Sequence, residues 1–355
     1  MHNIRKLNNN PGLQHRMKGT CVMNSRKRVL ATLQGERADR VPLNVFAGWN
    51  PEVRATVNGK YGNVDRFCEH HRIDIITAVL PRFPFGRPEP GAVVPSLEDY
   101  LEMKTVDGAA PEILDTRCDD DLFLTINEGL AWQQQGKPVF AHAWGVFELS
   151  QFLFEQNGMP GTEDALVNML AEKEETQEIY KTLAQWSAAC VENAIRAGVD
   201  AIELSDDWGQ QNTMLFSPAL WWELIYPATK IIVDVAHKHN VPVILHSDGD
   251  ITRVLDGVKK LGFKGIHPVQ ESAGMSPLVV RKELGEKVCI MGGLDTITAL
   301  PLMDTAEIKI EVKRVFDLLK ESGPFIFSGS HMFQDDAPLE VIEAAYDEAN
   351  ALAAL

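Results

Sequence analysis

The sequence predicts an α/β fold, a (β/α)8 TIM barrel carrying an insertion between its second and third strands. Three observations predict it. Eight short apolar runs recur along the chain, most of them separated by helical patterns, and strands that alternate with helices build parallel sheets. Several runs end in polar, Gly-containing turns, the form a strand takes where it delivers side chains to the C-terminal rim of a parallel barrel. Acids and imidazoles recur at those turns. A closed barrel gathers them at one mouth, whereas a doubly wound sheet brings fewer together.

Asn24–Gln34 reads as a first helix, with Asn24 as cap and Val29, Leu30 and Leu33 as its apolar stripe. Val41–Phe46 follows as the first strand, ending at Ala47, Gly48 and Trp49. Pro51–Tyr61 is a helix with Pro in its first turn. Ile73–Leu80 is the second strand. Pro81–Lys137 is rich in Pro and Gly and lacks a clean period, so it reads as the insertion. Val139–Trp144 is the third strand. Thr162–Ala197 is helical, stopped by Gly198. Ala201–Leu204 is the fourth strand and runs into Ser205, Asp206, Asp207, Trp208 and Gly209. Ser217–His239 is a long helix capped by Ser217, with a kink expected at Pro227.

Val241–Leu245 is the fifth strand. It opens onto His246, Ser247, Asp248, Gly249 and Asp250, and Ile251, Val254, Leu255, Val258 and Leu261 then recur at helical spacing. Gly265–Val269 is the sixth strand and Val288–Met291 the seventh, which ends in Gly292, Gly293, Leu294 and Asp295. After the helix Thr305–Ser322 comes the eighth, Phe325–Phe327, ending in Ser328, Gly329, Ser330 and His331. A helix over Leu339–Leu352 completes the pattern.

The 355 residues, 45% of them hydrophobic, suffice for a sizeable core. Residues 1–22 are basic, polar and Asn-rich and lack the apolar stretch of a signal peptide, so they read as a poorly ordered arm before a single domain over 23–355. Met23 would make an equally sensible start. No apolar run is long enough for a membrane span. A net charge of −16 argues against nucleic acid. Five scattered cysteines indicate neither a disulfide framework nor an all-Cys zinc site, and a reducing cytoplasm is the expected location.

His246 and Asp248 stand two apart, so an extended backbone points them to one side, where they could share a metal or a proton. Alternatively the strand simply ends there, with Asp250 capping the next helix. Glu203, Asp206, Asp207, Asp295 and His331 converge on the same rim. Glu203 lies inside a strand, where an unpartnered carboxylate is costly, and this favours a site role. Trp49, Trp144 and Trp208 lie near strand ends, where tryptophans are more often core than ligand platform, though they could sandwich an aromatic ring. His142 and His267 read as structural, and Cys289 as a small buried hydrophobe.

The ordered motifs VPVILHSDGDI, HPVQESAGM, IMGGLDT and FSGSHMFQDDAPLEVIEA resemble the uroporphyrinogen decarboxylase superfamily, and within it the corrinoid-dependent methyltransferases. The likeness runs from about Asn24 to the C-terminus. The decarboxylases carry an Arg-rich segment after the first strand and an aspartate after the second. Here those places read FAGWN and AVLPRF. In the methyltransferases a His-x-Cys after the fifth strand and a residue after the last strand bind zinc. The matching positions are His246, Asp248 and Ser330 with His331, with aspartate in place of cysteine. The resemblance therefore implies zinc on His246, His331 and an acid (Asp248, Glu203 or Asp207). It implies Asp206 or Asp207 as proton donor and Trp49, Trp144 and Trp208 around the substrate. The expected reaction moves a methyl group from a small O-methyl donor, such as a methoxylated aromatic compound, to cobalt. No cobalamin-binding signature is present, so the corrinoid is expected on a partner protein. A homodimer is compatible with this picture. The alternatives are a tetrapyrrole decarboxylase and a non-catalytic corrinoid- or tetrapyrrole-binding protein.

Overall fold

Among the described residues nine strands organise the chain: β1 (Ile76–Val79), β2 (Val139–Trp144), β3 (Ala201–Ser205), β4 (Gly209–Gln210), β5 (Thr213–Met214), β6 (Val243–His246), β7 (Gly265–His267), β8 (Cys289–Leu294) and β9 (Phe325–Gly329). The structure is a computed structural model that describes residues 22–46, 49–89, 91–118 and 122–354. The expected N-terminal arm, Val22 apart, lies outside them. Seven strands form one parallel sheet in the order β1-β2-β3-β6-β7-β8-β9, and β4 with β5 makes a small antiparallel ribbon after β3. The strand order of the large sheet follows the chain, as successive right-handed βα units require.

The first expected strand is corrected. Val41–Phe46 forms no ladder, only a parallel bridge from Leu43 to Phe327 of β9. Phe327 N donates to Pro42 O at 3.0 Å and Asn44 N to Phe327 O at 2.8 Å. On the other side Asp74 N donates to Leu43 O at 2.7 Å. The segment therefore hydrogen-bonds towards both edges of the seven-stranded sheet, which curls into a barrel-like form. Pro42 has no N–H to extend the ladder. Further along, the free edge of β1 is taken by Leu124, whose carbonyl accepts from Val79 N at 2.9 Å.

Alternation along the strands sorts their side chains. Val139, Ala141, Val243 and Leu245 join the main core that packs sheet on helices. Phe140, Ala201, Ile244, Cys289, Met291 and Ile326 form a second cluster with Val29 and Leu33 of the first helix, Ser25–Leu33. One or two steps further along the same inward columns stand His142, Glu203, His246 and His267. The sheet's interior is thus apolar near the strand starts and polar near their ends. Cys289 is fully buried, and burial pushes its thiol up to about 12, as expected of a packing residue.

Between β1 and β2 lie two short helices, Leu97–Glu102 and Ile126–Leu130, each opened by a capping box, with 3-10 turns at Pro111–Asp115 and Ala131–Gln135. The expected helix at 162–197 is two, Thr162–Ala171 and Lys173–Ala197. The second ends at Gly198, which adopts φ +111°. The helix around Pro227 is interrupted: a π-turn, Trp221–Ile225, precedes Tyr226–Lys238. That turn absorbs the hydrogen bond Pro227 cannot make. Among the described residues no helix is long and apolar enough to cross a membrane.

Candidate active site

The site is built on a chain of two imidazoles. His246 ends β6 and registers beside His267 on β7. His267 Nε2 lies 2.9 Å from the carbonyl oxygen of Gly329. A carbonyl only accepts, so that nitrogen carries the hydrogen. Burial pushes His267 down to about 4, so the ring is neutral and its Nδ1 holds a lone pair. His246 Nδ1 sits 2.7 Å from that atom and donates to it. The Nε2 of His246 is then left with a free lone pair, 3.7 Å from Asp207 Oδ1. Burial first, and His267 second, hold His246 well below its ordinary range. Phe46 stacks on both rings, at 4.6 Å and 4.7 Å between centroids.

Asp207 and Asp248 face this nitrogen. Asp248 N donates to Asp207 Oδ1 at 2.8 Å, tying the turn after β3 to the turn after β6. The ligand atoms of Asp207, His246 and Asp248 all lie within 4.8 Å of one another. Asp248 Oδ1 is buried without a partner, and its Oδ2 is 3.9 Å from His331 Nε2. His331 stands beside the group, its ring centroid 6.4 Å from that of His246.

Asp207, His246 and His331 border a cavity of about 90 Å³ whose wall includes Glu148, Trp144, Phe123 and Val79. Glu148 belongs to the helix Val146–Leu153, and its Oε2 is buried without a partner. No lysine or arginine lines the cavity among the described residues. Burial, then the neighbouring acids, pushes Glu148 well above the carboxylate range and Asp248 up to about 8. Burial raises Asp207 too, against the hydrogen bond from Asp248 N. Two carboxyl groups, Asp207 and Glu148, line one small space without a fixed cation, and Asp248 adjoins Asp207, an arrangement that favours uptake of protons or of a metal.

The other expected site residues are placed as follows. Asp206 is fully buried and turned away from the cavity. It accepts from Glu148 N at 2.9 Å and Trp208 Nε1 at 2.8 Å, so it caps the helix Val146–Leu153. A Cβ on Gly145 would come within 2.3 Å of the Asp206 Cγ, so only glycine admits this approach. Burial, opposed by those hydrogen bonds, pushes Asp206 up to about 7. Glu203 lies outside the three-residue group. Its Oε2 is 3.4 Å from His142 Nδ1 and its Oε1 has no partner. Trp208 is core, fully buried edge-on to Trp221. Trp49 packs against Phe67 and Phe333 and borders a separate cavity of about 550 Å³. Trp144 alone of the three borders the small cavity, with Nε1 donating to Leu80 O at 2.8 Å. Asp295 caps its own turn through Ile297 N and Thr298 N.

Glu148, Phe46 and the orienting role of His267 were not legible beforehand. Glu148 carried a usable signal, because it opens the helix after β2 and so lies at the same rim as the other strand ends.

A curled parallel sheet with acids and imidazoles gathered at its C-terminal rim defines an α/β barrel-like enzyme. Residues 122–352 match the uroporphyrinogen decarboxylase (URO-D) family, and the chain belongs to that family. A uroporphyrinogen decarboxylase of Mesorhizobium japonicum is 27% identical over 203 residues, 55% of this chain and 54% of that protein. One from Geobacter metallireducens is 25% identical over 204 residues, 57% of each chain. The chain thus spans about half the length of these curated relatives. A solved structure titled as a methyltransferase from Methanosarcina mazei superposes with a TM-score of 0.64, covering 93% of this chain and 99% of its own at 16% identity. That likeness speaks for the fold.

Proposed function

We propose that this chain is a methyltransferase that passes a methyl group from a small O-methyl donor, of the methoxylated aromatic kind, to the cobalt of a corrinoid held by a separate protein. The observation that carries the reading is the donor set of Asp207, His246 and Asp248, two of which line a cavity with no lysine or arginine among its described lining residues. One neutral imidazole with a free Nε2, two carboxylates and an orphaned buried oxygen on Asp248 suit a zinc-like divalent ion. His331 is the adjacent fourth candidate. When bound there, such an ion supplies Lewis acidity at a departing oxygen.

The chain's own residues do the rest. His267 holds the His246 tautomer. Phe46, Val79 and Phe123 keep the cavity apolar on one side and limit water. Phe123 comes from 81–137, so the segment read as an insertion helps shape the donor site. Trp144 offers an indole edge to an aromatic donor. Glu148, whose hold on a proton is strengthened by burial and by the neighbouring acids, gives its proton to the leaving oxygen as the methyl–oxygen bond breaks and the acceptor takes the methyl group. Asp207 is committed to the donor set and Asp206 to its helix, which leaves Glu148 as the proton source.

The second reading is the decarboxylation named by the curated relatives. A porphyrinogen carries many carboxylates, and a cavity walled by acids without lysine or arginine has the wrong sign for them. Metal analysis of the purified chain, then a screen of methoxyaromatics, methanol and methylamines with a reduced corrinoid protein, tests the proposal. A bound divalent metal and methyl transfer are expected, with His246→Ala lowering the rate ~10³-fold, the several kcal/mol a Lewis acid contributes. A metal-free protein that turns over uroporphyrinogen and no methyl donor overturns it. So does one that binds a corrinoid without any turnover.

A further inference from the structure

Away from the cavity, the helix Val64–His70 meets the C-terminal helix Leu339–Leu352. His71, just past the first helix, is 1% exposed. Its Nε2 is 3.2 Å from the Tyr61 hydroxyl, and that hydroxyl donates to Glu343 Oε1 at 2.7 Å. With its hydrogen committed to Glu343, the phenol oxygen accepts from His71, so Nε2 carries the ring hydrogen. Nδ1 of the neutral ring then holds a lone pair. It points at Asp347 Oδ1, 3.3 Å away, yet makes no hydrogen bond.

Two electron-pair donors at that separation repel unless a cation lies between or beside them. A proton on His71 is one such cation, and a metal ion is another. His70 adds a third donor: its ring is 4.7 Å from that of His71, and the ligand atoms of His70, His71 and Asp347 all lie within 4.8 Å of one another. Donors around a four-coordinate metal at about 2.0–2.1 Å stand roughly 3.4 Å apart. His70 is exposed and the Asp347 side chain is 62% exposed, so both can close that difference around the fixed His71. Asn350 Nδ2 donates to the His71 carbonyl at 2.7 Å and pins the backbone there.

We propose that His70, His71 and Asp347 form a second divalent-metal site, of the imidazole-and-carboxylate class that takes zinc, nickel or copper. It joins the C-terminal helix to the start of the domain. Because the metal binds the folded chain, it stabilises that junction by mass action.

The test uses the full chain stripped with chelator and carrying His246→Ala, so that the mouth is weakened. Zinc chloride is titrated calorimetrically, and thermal unfolding is followed with and without the metal. One zinc per chain and a rise in unfolding temperature are expected. His70→Ala and Asp347→Asn, both at exposed positions and neither near the cavity, should each weaken binding by tenfold or more and shrink the thermal shift. Methyl transfer by the same two variants in the otherwise unaltered chain should be unchanged. An isotherm indifferent to both substitutions overturns the proposal, as does binding only at millimolar zinc.

Discussion

Asp74 and Asp248 are both acids set against strands of one sheet, at opposite ends of it. Asp74, just before β1, is fully buried and accepts from Arg28 Nη1 at 2.7 Å, Arg40 Nη2 at 2.9 Å, Ser25 Oγ at 2.7 Å and Leu43 N at 2.9 Å. Asp200, just before β3, is held by Arg26 Nε at 2.5 Å, Gln133 Nε2 at 3.0 Å and Val139 N at 2.9 Å. Asp248, beyond β6, has one oxygen with no partner and Asp207 as its nearest charged neighbour of note. At the strand starts both of these acids meet a guanidinium. At the strand ends, acids meet acids and neutral imidazoles. The first arrangement holds a chain together, and the second is tolerable only if something positive joins it. Barrel enzymes divide stability and chemistry between their two faces in the same way.

The largest expected effect lies at the strand starts. Asp74→Ala strands two buried arginines and should cost about 3–5 kcal/mol in denaturant unfolding. A loss under about 1 kcal/mol would mean the guanidiniums find other partners. Next comes the imidazole chain. His267→Phe removes the acceptor for His246 Nδ1 and should weaken zinc binding about 10–100-fold. His267→Asn, which keeps an acceptor, should recover part of that loss. Equal weakening by both would reduce His267 to packing.

Smaller and opposite in sign is Glu148→Gln. In metal-free protein it removes the cost of taking up a proton on a buried carboxyl when the chain folds, and should stabilise by ~1 kcal/mol while slowing methyl transfer. Lower thermal stability in that variant would break the contrast between the two ends.

The pH dependence sharpens the comparison further. Asp206, held near 7, and Asp248, near 8, bind protons more tightly folded than unfolded, where the ordinary value is 3.8. Their stabilisation is complete below about pH 4 and is lost as pH rises to about 8. Asp39 is the reverse. Burial raises it, but hydrogen bonds from Arg28 and Met23 N outweigh this and hold it near 2. Its contribution is present above the ordinary value and is lost as pH falls from about 4 to 2. Zinc at saturation should flatten the share of the upper limb that belongs to Asp248 and leave that of Asp206 and the acid limb unchanged. Unfolding temperatures across pH 2–9, with and without zinc, measure both.

Much of this was legible in the residues. Alternation in VPVILH and AIELS placed Ile244, His246 and Glu203 on one face, and Gly-containing turns placed Asp207, Asp248 and His331 at one rim. The sequence alone did not separate Asp207 from Asp206. Neighbours in the chain, they face different ways because Gly145 opens room for one of them against a helix start. Trp208 stood open between core and platform for a related reason: a strand-end position says nothing about which side of the following turn a large ring will bury.

The order of apolar and polar steps along each strand is a local property, so the chain by itself determined the sheet, its inward columns and the rim where acids collect. Which acid keeps a counterion, which nitrogen of His246 is free and which donors share a space depend on residues remote in the chain. His246 and His267 meet, as do Gly145 and Asp206, only once the sheet has curled and its register is fixed. Those contacts are set by packing across strands, and the tertiary structure alone decided them.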